Sequence, residues 1–214
     1  MNECAGESTP LTYACAMNQA VSETVAIVPL GPDGFDEFKR YLDDHLRDNG
    51  RDGAPHFQPM ARATSVLAPQ PAAAWRAGLE LPLGSAGWRR TWVATSTQTG
   101  ALVGHVDLRW QGHEFAAHRC LLGMGVARDH RRVGLGARLV AHAEGWAQQA
   151  GGLDWIDLQV LSANMAAVRL YERFGFTRLG ETVDLFRIDG LSLSAVAMCK
   201  RVNTGRHAVS IPPG

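Results

Sequence analysis

The chain has 214 residues, 46% of them hydrophobic, with 21 basic and 21 acidic side chains. That length and composition suit one globular domain, alone or with an extension. A formal net charge of zero gives no electrostatic footprint for nucleic acid, and no apolar run is long enough to cross a bilayer; neither nucleic acid nor membrane is an expected partner.

Residues 1–20 show no periodicity and lack a basic segment followed by an apolar core, so they read as a disordered extension and not as a signal peptide. Met17 is an alternative start to Met1. Cys4, Cys15, Cys120 and Cys199 are scattered without metal-ligand spacing. They fit reduced thiols in a cytoplasmic protein better than a disulfide framework. The expected domain runs over 21–202, with a loose tail over 203–214.

Val25 to Leu30 reads as a first strand, and Gly31-Pro32-Asp33-Gly34 as a turn. Phe35, Phe38, Tyr41, Leu42 and His45 follow helical spacing up to Asn49-Gly50. Arg51 to Gln70 contains Pro55, Pro59 and Pro69 and exceeds an ordinary connection, which points to a functional loop. A helix is expected from about Ala72 to Leu79, with Trp75 and Leu79 on its buried face. Trp92 to Ser96 and Leu102 to Trp110 read as a hairpin, and Cys120 to Ala127 as a fourth strand.

The most informative stretch follows: Val126-Ala-Arg-Asp-His-Arg-Arg-Val-Gly-Leu-Gly136. Here an apolar strand ends in a polar loop, and Gly134 and Gly136 open an amphipathic helix carrying Leu135, Leu139, Val140, Ala143, Trp146 and Ala147. Such a junction gathers unpaired backbone N–H groups at the positive end of a helix dipole, a site for a phosphorylated ligand. It is not a Walker A loop, because Ala137 and Arg138 stand where Lys-Ser/Thr is needed. It is a poor dinucleotide fingerprint, because Leu139 replaces the third small residue, although Asp154 and Asp157 lie at roughly the required distance.

Trp155 to Val160 alternates as a strand. Asn164 is placed to cap a short helix bearing Ala166, Ala167, Val168, Leu170, Tyr171 and Phe174, which Gly175 ends. Thr182 to Ile188 and Ser192 to Lys200 pair across Asp189-Gly190, a strong hairpin signal. The expected order is β-α-α-β-β-β-α-β-α-β-β: an α/β (α+β) mixed sheet of about seven strands with helices on both faces.

The Val126–Gly136 stretch and Leu158-x-Val160-x-x-x-Asn164-x-x-Ala167-x-x-Leu170-Tyr171-x-x-x-Gly175-Phe176 together resemble two motifs of the GNAT superfamily of acyl-CoA N-acyltransferases. They occur in the family's order over about residues 90–201. Arg128 departs from the pattern, which often has proline there. The resemblance implies the GNAT fold, with the fourth and fifth strands splayed to admit acetyl-CoA as cosubstrate. It also implies direct N-acetyl transfer to an amine in a ternary complex.

On this reading the amides of Arg132, Val133, Gly134, Gly136 and Ala137 cradle the pyrophosphate, and Arg131 and Arg132 add charged contacts. Gly125, Val126 and Ala127 are expected to pair with the pantetheine arm, and the Val126 N–H to polarise the thioester carbonyl. Asn164 and Ala167 belong to the cofactor-binding set. Tyr171 stands at the family's frequent general-acid position and is also expected to touch the cofactor.

The fourth strand carries no carboxylate, so the general base is open among Asp107, His113, Glu114 and His118, a water chain, or an amine that arrives neutral. The irregular spacing of His105, His113 and His118 gives little support for a metal, and none is expected. The missing carboxylate also motivates an alternative: a non-catalytic acyl-CoA sensor of the same fold. The acceptor pocket is expected between the first two helices, Arg51 to Gln70 and the final hairpin, where Asp107, Glu114 and Asp184 are available to a cationic amine. The acceptor is a small molecule or a peptide N-terminus. A homodimer is open, dimers being frequent among soluble proteins.

Overall fold

The computed structural model describes residues 24–203. The expectations for residues 1–20, Met17, Cys4, Cys15 and 204–214 lie outside them. Seven strands and four helices follow in the expected order: β1 (Val25–Pro29), α1 (Phe35–Leu46), α2 (Pro69–Gly78), β2 (Arg89–Ser96), β3 (Leu102–Trp110), β4 (Arg119–Val126), α3 (Leu135–Gln149), β5 (Trp155–Leu161), α4 (Met165–Arg173), β6 (Thr177–Ile188) and β7 (Leu191–Arg201).

The strands form one sheet ordered β1-β2-β3-β4-β5-β7-β6. Every neighbouring pair is antiparallel except β4 and β5. Alternation along β3 explains how helices cover both faces. A β-carbon on Gly104 would meet Leu135 and Leu139 of α3. His105, one residue on, packs instead against Phe38 and Tyr41 of α1, at ring-centroid distances of 5.5 and 5.7 Å.

Each face has its own apolar core. Leu135, Leu139, Val140, Ala143 and Ala147 of α3 pack with Val106, Leu108, Val168 and Phe176. Phe35, Phe38, Leu42 and Leu46 of α1 pack with Ala72, Leu79 and Val93. These are the helical stripes seen in the sequence. Burial of such faces, and not intrinsic propensity, is what stabilises helices this short.

Several boundaries differ from expectation. Helix α2 starts three residues early, because Pro69 at its first position needs no N–H partner and has a suitable φ. Strand β6 begins at Thr177, five residues early; it is an edge strand exposed along most of its length, so its apolar alternation is weak. Asn203, assigned to the tail from sequence, is anchored: its Nδ2 donates to the Leu153 carbonyl at 2.7 Å.

The sheet forks between β4 and β5. Their ladder covers only Arg119–Leu121 against Trp155–Asp157. By contrast, β4 follows β3 up to Val126, and β5 follows β7 up to Leu161. At the closed end Arg119 forms a two-pronged ion pair with Asp157 and lies over the Trp155 ring, 4.8 Å from its centroid. Leu122 to Val126 and Leu158 to Leu161 are the open arms.

Candidate active site

The alternation of the β3–β4 ladder decides which backbone groups face the fork. The Ala127 N–H donates to the Val103 carbonyl at 2.9 Å. Gly125 and Gly123 share that parity in the register and turn their amides to β3. Met124 and Val126 therefore aim theirs at the open side. Of the expected pantetheine-pairing trio, only Val126 is so placed. Gly125 and Ala127 are corrections, for the physical reason that neighbouring residues of a strand bond in opposite directions. Met124 was missed for the same reason.

Beyond the fork, the β4–α3 loop keeps the N–H groups of residues 132–137 without a protein acceptor among the described residues. They are the donors that a helix start leaves unsatisfied, at the positive end of the α3 dipole. Gly134 caps the helix at φ +85° and Arg132 sits at φ +64°. Positive φ in the run turns successive amides inward, the geometry of an anion-binding nest.

The two glycines have different reasons. A β-carbon on Gly134 would meet nothing, so its constraint is conformation. One on Gly136 would stand 3.2 Å from Leu170 of α4, so its constraint is the approach of the two helices.

The two arginines separate. Arg131 turns back: its Nε donates to the Val126 carbonyl at 3.0 Å, and its guanidinium lies 3.6 Å from Asp48 and 5.8 Å from the Phe57 ring centroid. Arg128 joins it on Asp48 through two hydrogen bonds of 3.2 and 2.6 Å. The expected phosphate contact of Arg131 is thus replaced by a tie between this loop and the end of α1. Arg132 is exposed and has no protein partner among the described residues.

Helix α4 enters as expected. The Asn164 Oδ1 accepts from the Ala167 N–H at 3.3 Å, and Gly175 follows the helix at φ +80°. Tyr171 is buried, its ring edge-on to Phe176 at 5.6 Å. Burial, helped by the Asp107 charge, raises the phenol above its ordinary pKa, so it stays protonated at neutral pH.

On the α1 face, β4 presents Gly123 and Gly125, and polar side chains of other elements fill the space. A β-carbon on Gly125 would lie 2.5 Å from His105 Cε1 and 2.6 Å from His45 Nε2. The Tyr41 hydroxyl is 3.3 Å from His105 Nδ1, and the Tyr41 ring stacks on His45 at 6.1 Å. His45 Nδ1 is buried without a hydrogen-bond partner. Burial pushes His45 down to about 4 and His105 to about 3, so both imidazoles are neutral at pH 7.

Beside Gly123, Asp107 accepts from Arg89 at 3.1 Å and Arg109 at 3.0 Å. Although burial opposes it, the two guanidiniums hold the Asp107 carboxyl below its usual range.

The base candidates read from sequence are therefore corrected. Asp107 is a doubly paired carboxylate of low basicity. His113, Glu114 and His118 precede Arg119, at the closed end of β4. At roughly 3.3 Å per residue they lie about 25 Å along the strand from Val126. His113 caps its own turn by accepting from the Phe115 N–H at 3.2 Å. His45 was missed because its spacing reads as core. Its one available signal was a histidine on an otherwise apolar helix face.

A further element shapes this face. Asn49 is fully buried. Its Oδ1 accepts from the Phe57 and Gln58 N–H groups at 2.8 and 2.9 Å, while its Nδ2 donates to the Gln58 and Met60 carbonyls at 3.0 and 3.1 Å. The turn of the final hairpin holds the same loop, with Asp189 accepting from the Arg62 N–H at 2.8 Å. The loop over 51–68 is thus fastened through its middle, where Phe57 packs against His45 with ring centroids 4.8 Å apart.

No group of three metal-ligating side chains occurs among the described residues, and no helix there is long and apolar enough to cross a membrane.

The family model described as Acetyltransferase (GNAT) family matches residues 63–176. The catalytic subunit NAA10 of the N-terminal acetyltransferase A complex of Arabidopsis thaliana is 27% identical over 90 residues, 42% of this chain and 47% of that one. The chain thus spans about half the length of this curated relative. Among solved structures, a GNAT-family acetyltransferase from Streptococcus pneumoniae superposes with a TM-score of 0.69 at 20% identity, covering 84% of this chain and 100% of that one. The yncA protein of Salmonella typhimurium, solved with its cofactor acetyl-CoA, gives 0.69 at 17% identity over 87% and 99%.

Proposed function

Because this chain belongs to the GNAT family of acetyltransferases, we propose that it moves the acetyl group of acetyl-CoA directly onto a primary amine within a ternary complex. The observation that carries this reading is the fork beside β4, with the Val126 amide aimed into it and unpaired amides at its outer end.

The amides of residues 132–137 receive the pyrophosphate, and Arg132 adds its charge. Met124 and Val126 pair with the amide-bearing arm as an added strand would. The Asn164 side-chain amide and the first turn of α4, with Ala167, border the arm on the β5 side. The Val126 N–H donates to the thioester carbonyl, and its donation strengthens as negative charge develops on that oxygen.

The neutral imidazole of His45 takes the amine proton. As the C–N bond forms, the nitrogen becomes cationic and its protons more acidic, which aids transfer to a base whose pKa lies below the optimum near the working pH. His105, held by Tyr41, orients it. Tyr171 gives its phenolic proton to the departing thiolate, which leaves as the free thiol. Cys120 and Cys199 are both buried and free, and the direct route needs no nucleophilic cysteine. Burial raises the Cys120 thiol to about 12, far from the range of a reactive thiolate. We place the enzyme in the cytoplasm, in keeping with unpaired thiols.

Incubation with acetyl-CoA and a broad amine panel tests the proposal. Thiol release that depends on one class of amine is the expected result. Binding of acetyl-CoA with no acetylation of any amine contradicts it.

A further inference from the structure

The polar row on β3 continues past the histidines. His105, Asp107 and Arg109 share the α1–α2 face of the sheet, and Arg89 stands opposite Arg109 in the β2–β3 register. Asp107 Oδ1 and Arg109 Nη1 lie 2.5 and 2.8 Å from where a β-carbon on Gly123 would be, just as His45 Nε2 lies 2.6 Å from that of Gly125. Two residues along a strand span about 7 Å. An ion-paired guanidinium and a neutral imidazole therefore stand beside backbone positions about that far apart, on the strand that carries the Val126 amide.

One carboxylate serves two guanidiniums here, so the cluster keeps a surplus positive charge. Arg89 is the more enclosed, its side chain 16% exposed, and its guanidinium lies 3.8 Å from the centre of the Trp75 ring. The Trp75 Nε1 donates to Thr91 Oγ1 at 2.9 Å, which fixes the ring. Arg109 is the accessible partner, 33% exposed. A pocket of about 290 Å³ opens here, lined on this face by Pro71, Ala74, Trp75, Arg89 and Arg109, and no carboxylate lines it; Trp88 and Trp110, at its edge, turn their rings into the α3-side core. Planar guanidinium edges beside the Trp75 ring suit a carboxylate on a compact, partly apolar molecule.

We propose that the acceptor is an amine of the amino-acid class and that Arg109, backed by Arg89, receives its carboxylate. The proposal deepens the acetyl-transfer reading and rests on it for the role of the amine. The dimensions agree. An α-amino acid sets its nitrogen about 2.5 Å from its carboxyl carbon. Hydrogen bonds of about 2.8 Å at each end give a reach of about 8 Å, comparable with the spacing of the Gly123 and Gly125 positions beside which Arg109 and His45 stand. The side chain then enters the pocket beside Trp75. Of the carboxylates expected to greet a cationic amine, Asp107 is ion-paired, Asp184 is engaged by Arg187 and Ser192, and Glu114 is exposed in the turn between β3 and β4.

The test is a calorimetric titration of the full chain with each of the twenty standard amino acids, each beside its α-carboxamide, and in parallel with acetyl-CoA. At least one free acid should bind ten-fold or more tighter than its amide. Arg109→Gln should erase that difference and leave acetyl-CoA affinity unchanged. Equal binding of acid and amide, binding of spermidine in preference to every amino acid, or no amino-acid binding overturns the proposal. The wild-type comparison decides the matter even should the variant fold poorly. Loss of acetyl-CoA binding alone would remove the transfer reading and leave the acid-against-amide comparison standing.

Discussion

The Nε2 of His45 stands 2.6 Å from the point where a β-carbon on Gly125 would lie, so α1 reaches the backbone of β4 because that position carries no side chain. Gly125→Ala is therefore expected to push His45 and His105 away from the strand. Three ring atoms of the two histidines are in the way, and both side chains are themselves packed. The expected result is a fall in kcat of ten-fold or more with acetyl-CoA affinity kept. His45→Gln, which removes the proton acceptor, should lower kcat by about 10² or more. Steady-state kinetics with a calorimetric titration of acetyl-CoA check both. A fall in acetyl-CoA affinity equal to the fall in kcat would mark the histidines as packing alone.

Gly134 separates backbone conformation from space. Its φ of +85° with open surroundings predicts an order of substitutions. Gly134→Asn should retain most acetyl-CoA affinity, since Asn tolerates the left-handed region. Gly134→Val should lose ten-fold or more, because a β-branched residue leaves that region and the amides of the loop turn with it. Titration of both variants checks the order; equal affinities would mean that the cradle does not depend on this turn.

Acid should destabilise the protein through the same histidines. His45 and His105 have folded pKa values lowered to about 4 and about 3 from 6.5, so below 6.5 the unfolded chain binds more protons. Their contribution is complete above about 6.5 and is lost as pH falls toward 4. The groups facing His45 set the balance: burial and Arg131 lower it, whereas Asp48 and Asp44 partly offset them. Thermal melts between pH 7 and 4 should show a steep fall in Tm, shallower in His45→Gln. Parallel curves for the two proteins would contradict the assignment.

What was legible in the sequence is what is local. The β4–α3 turn, the Asn164 cap and the Asp189-Gly190 hairpin are each specified within a few residues, by φ requirements and by side chains that reach their own backbone. The fork follows from the family's motifs. The direction of each amide along it did not, because it depends on the parity of the β3 ladder. His45 and Gly125 are 80 positions apart, and only the sheet register and the seating of α1 bring them together. Arg131 misled for a similar reason: its partner Asp48 lies far back in the chain. A charge beside a phosphate loop looks free until the fold supplies a carboxylate.

Asn49 is the clearest structural residue that sequence reading passed over. Its four hydrogen bonds hold the loop beside the histidines. Asn49→Ala should cost about 3 kcal/mol, given that buried backbone groups are left unpaired, or roughly 6–12 °C in Tm for a domain of this size. The acceptor KM should rise more than that for acetyl-CoA. Scanning calorimetry with substrate kinetics checks it, and an unchanged Tm would show the loop to be held elsewhere.

The central claim is that unpaired amides after β4 hold the diphosphate of acetyl-CoA while the Val126 amide faces its thioester. Titration of the full chain with acetyl-CoA, read by heat and by the shift in Tm, tests it most directly. The account predicts saturable one-to-one binding with thermal protection. Neither heat nor protection at millimolar acetyl-CoA would contradict it.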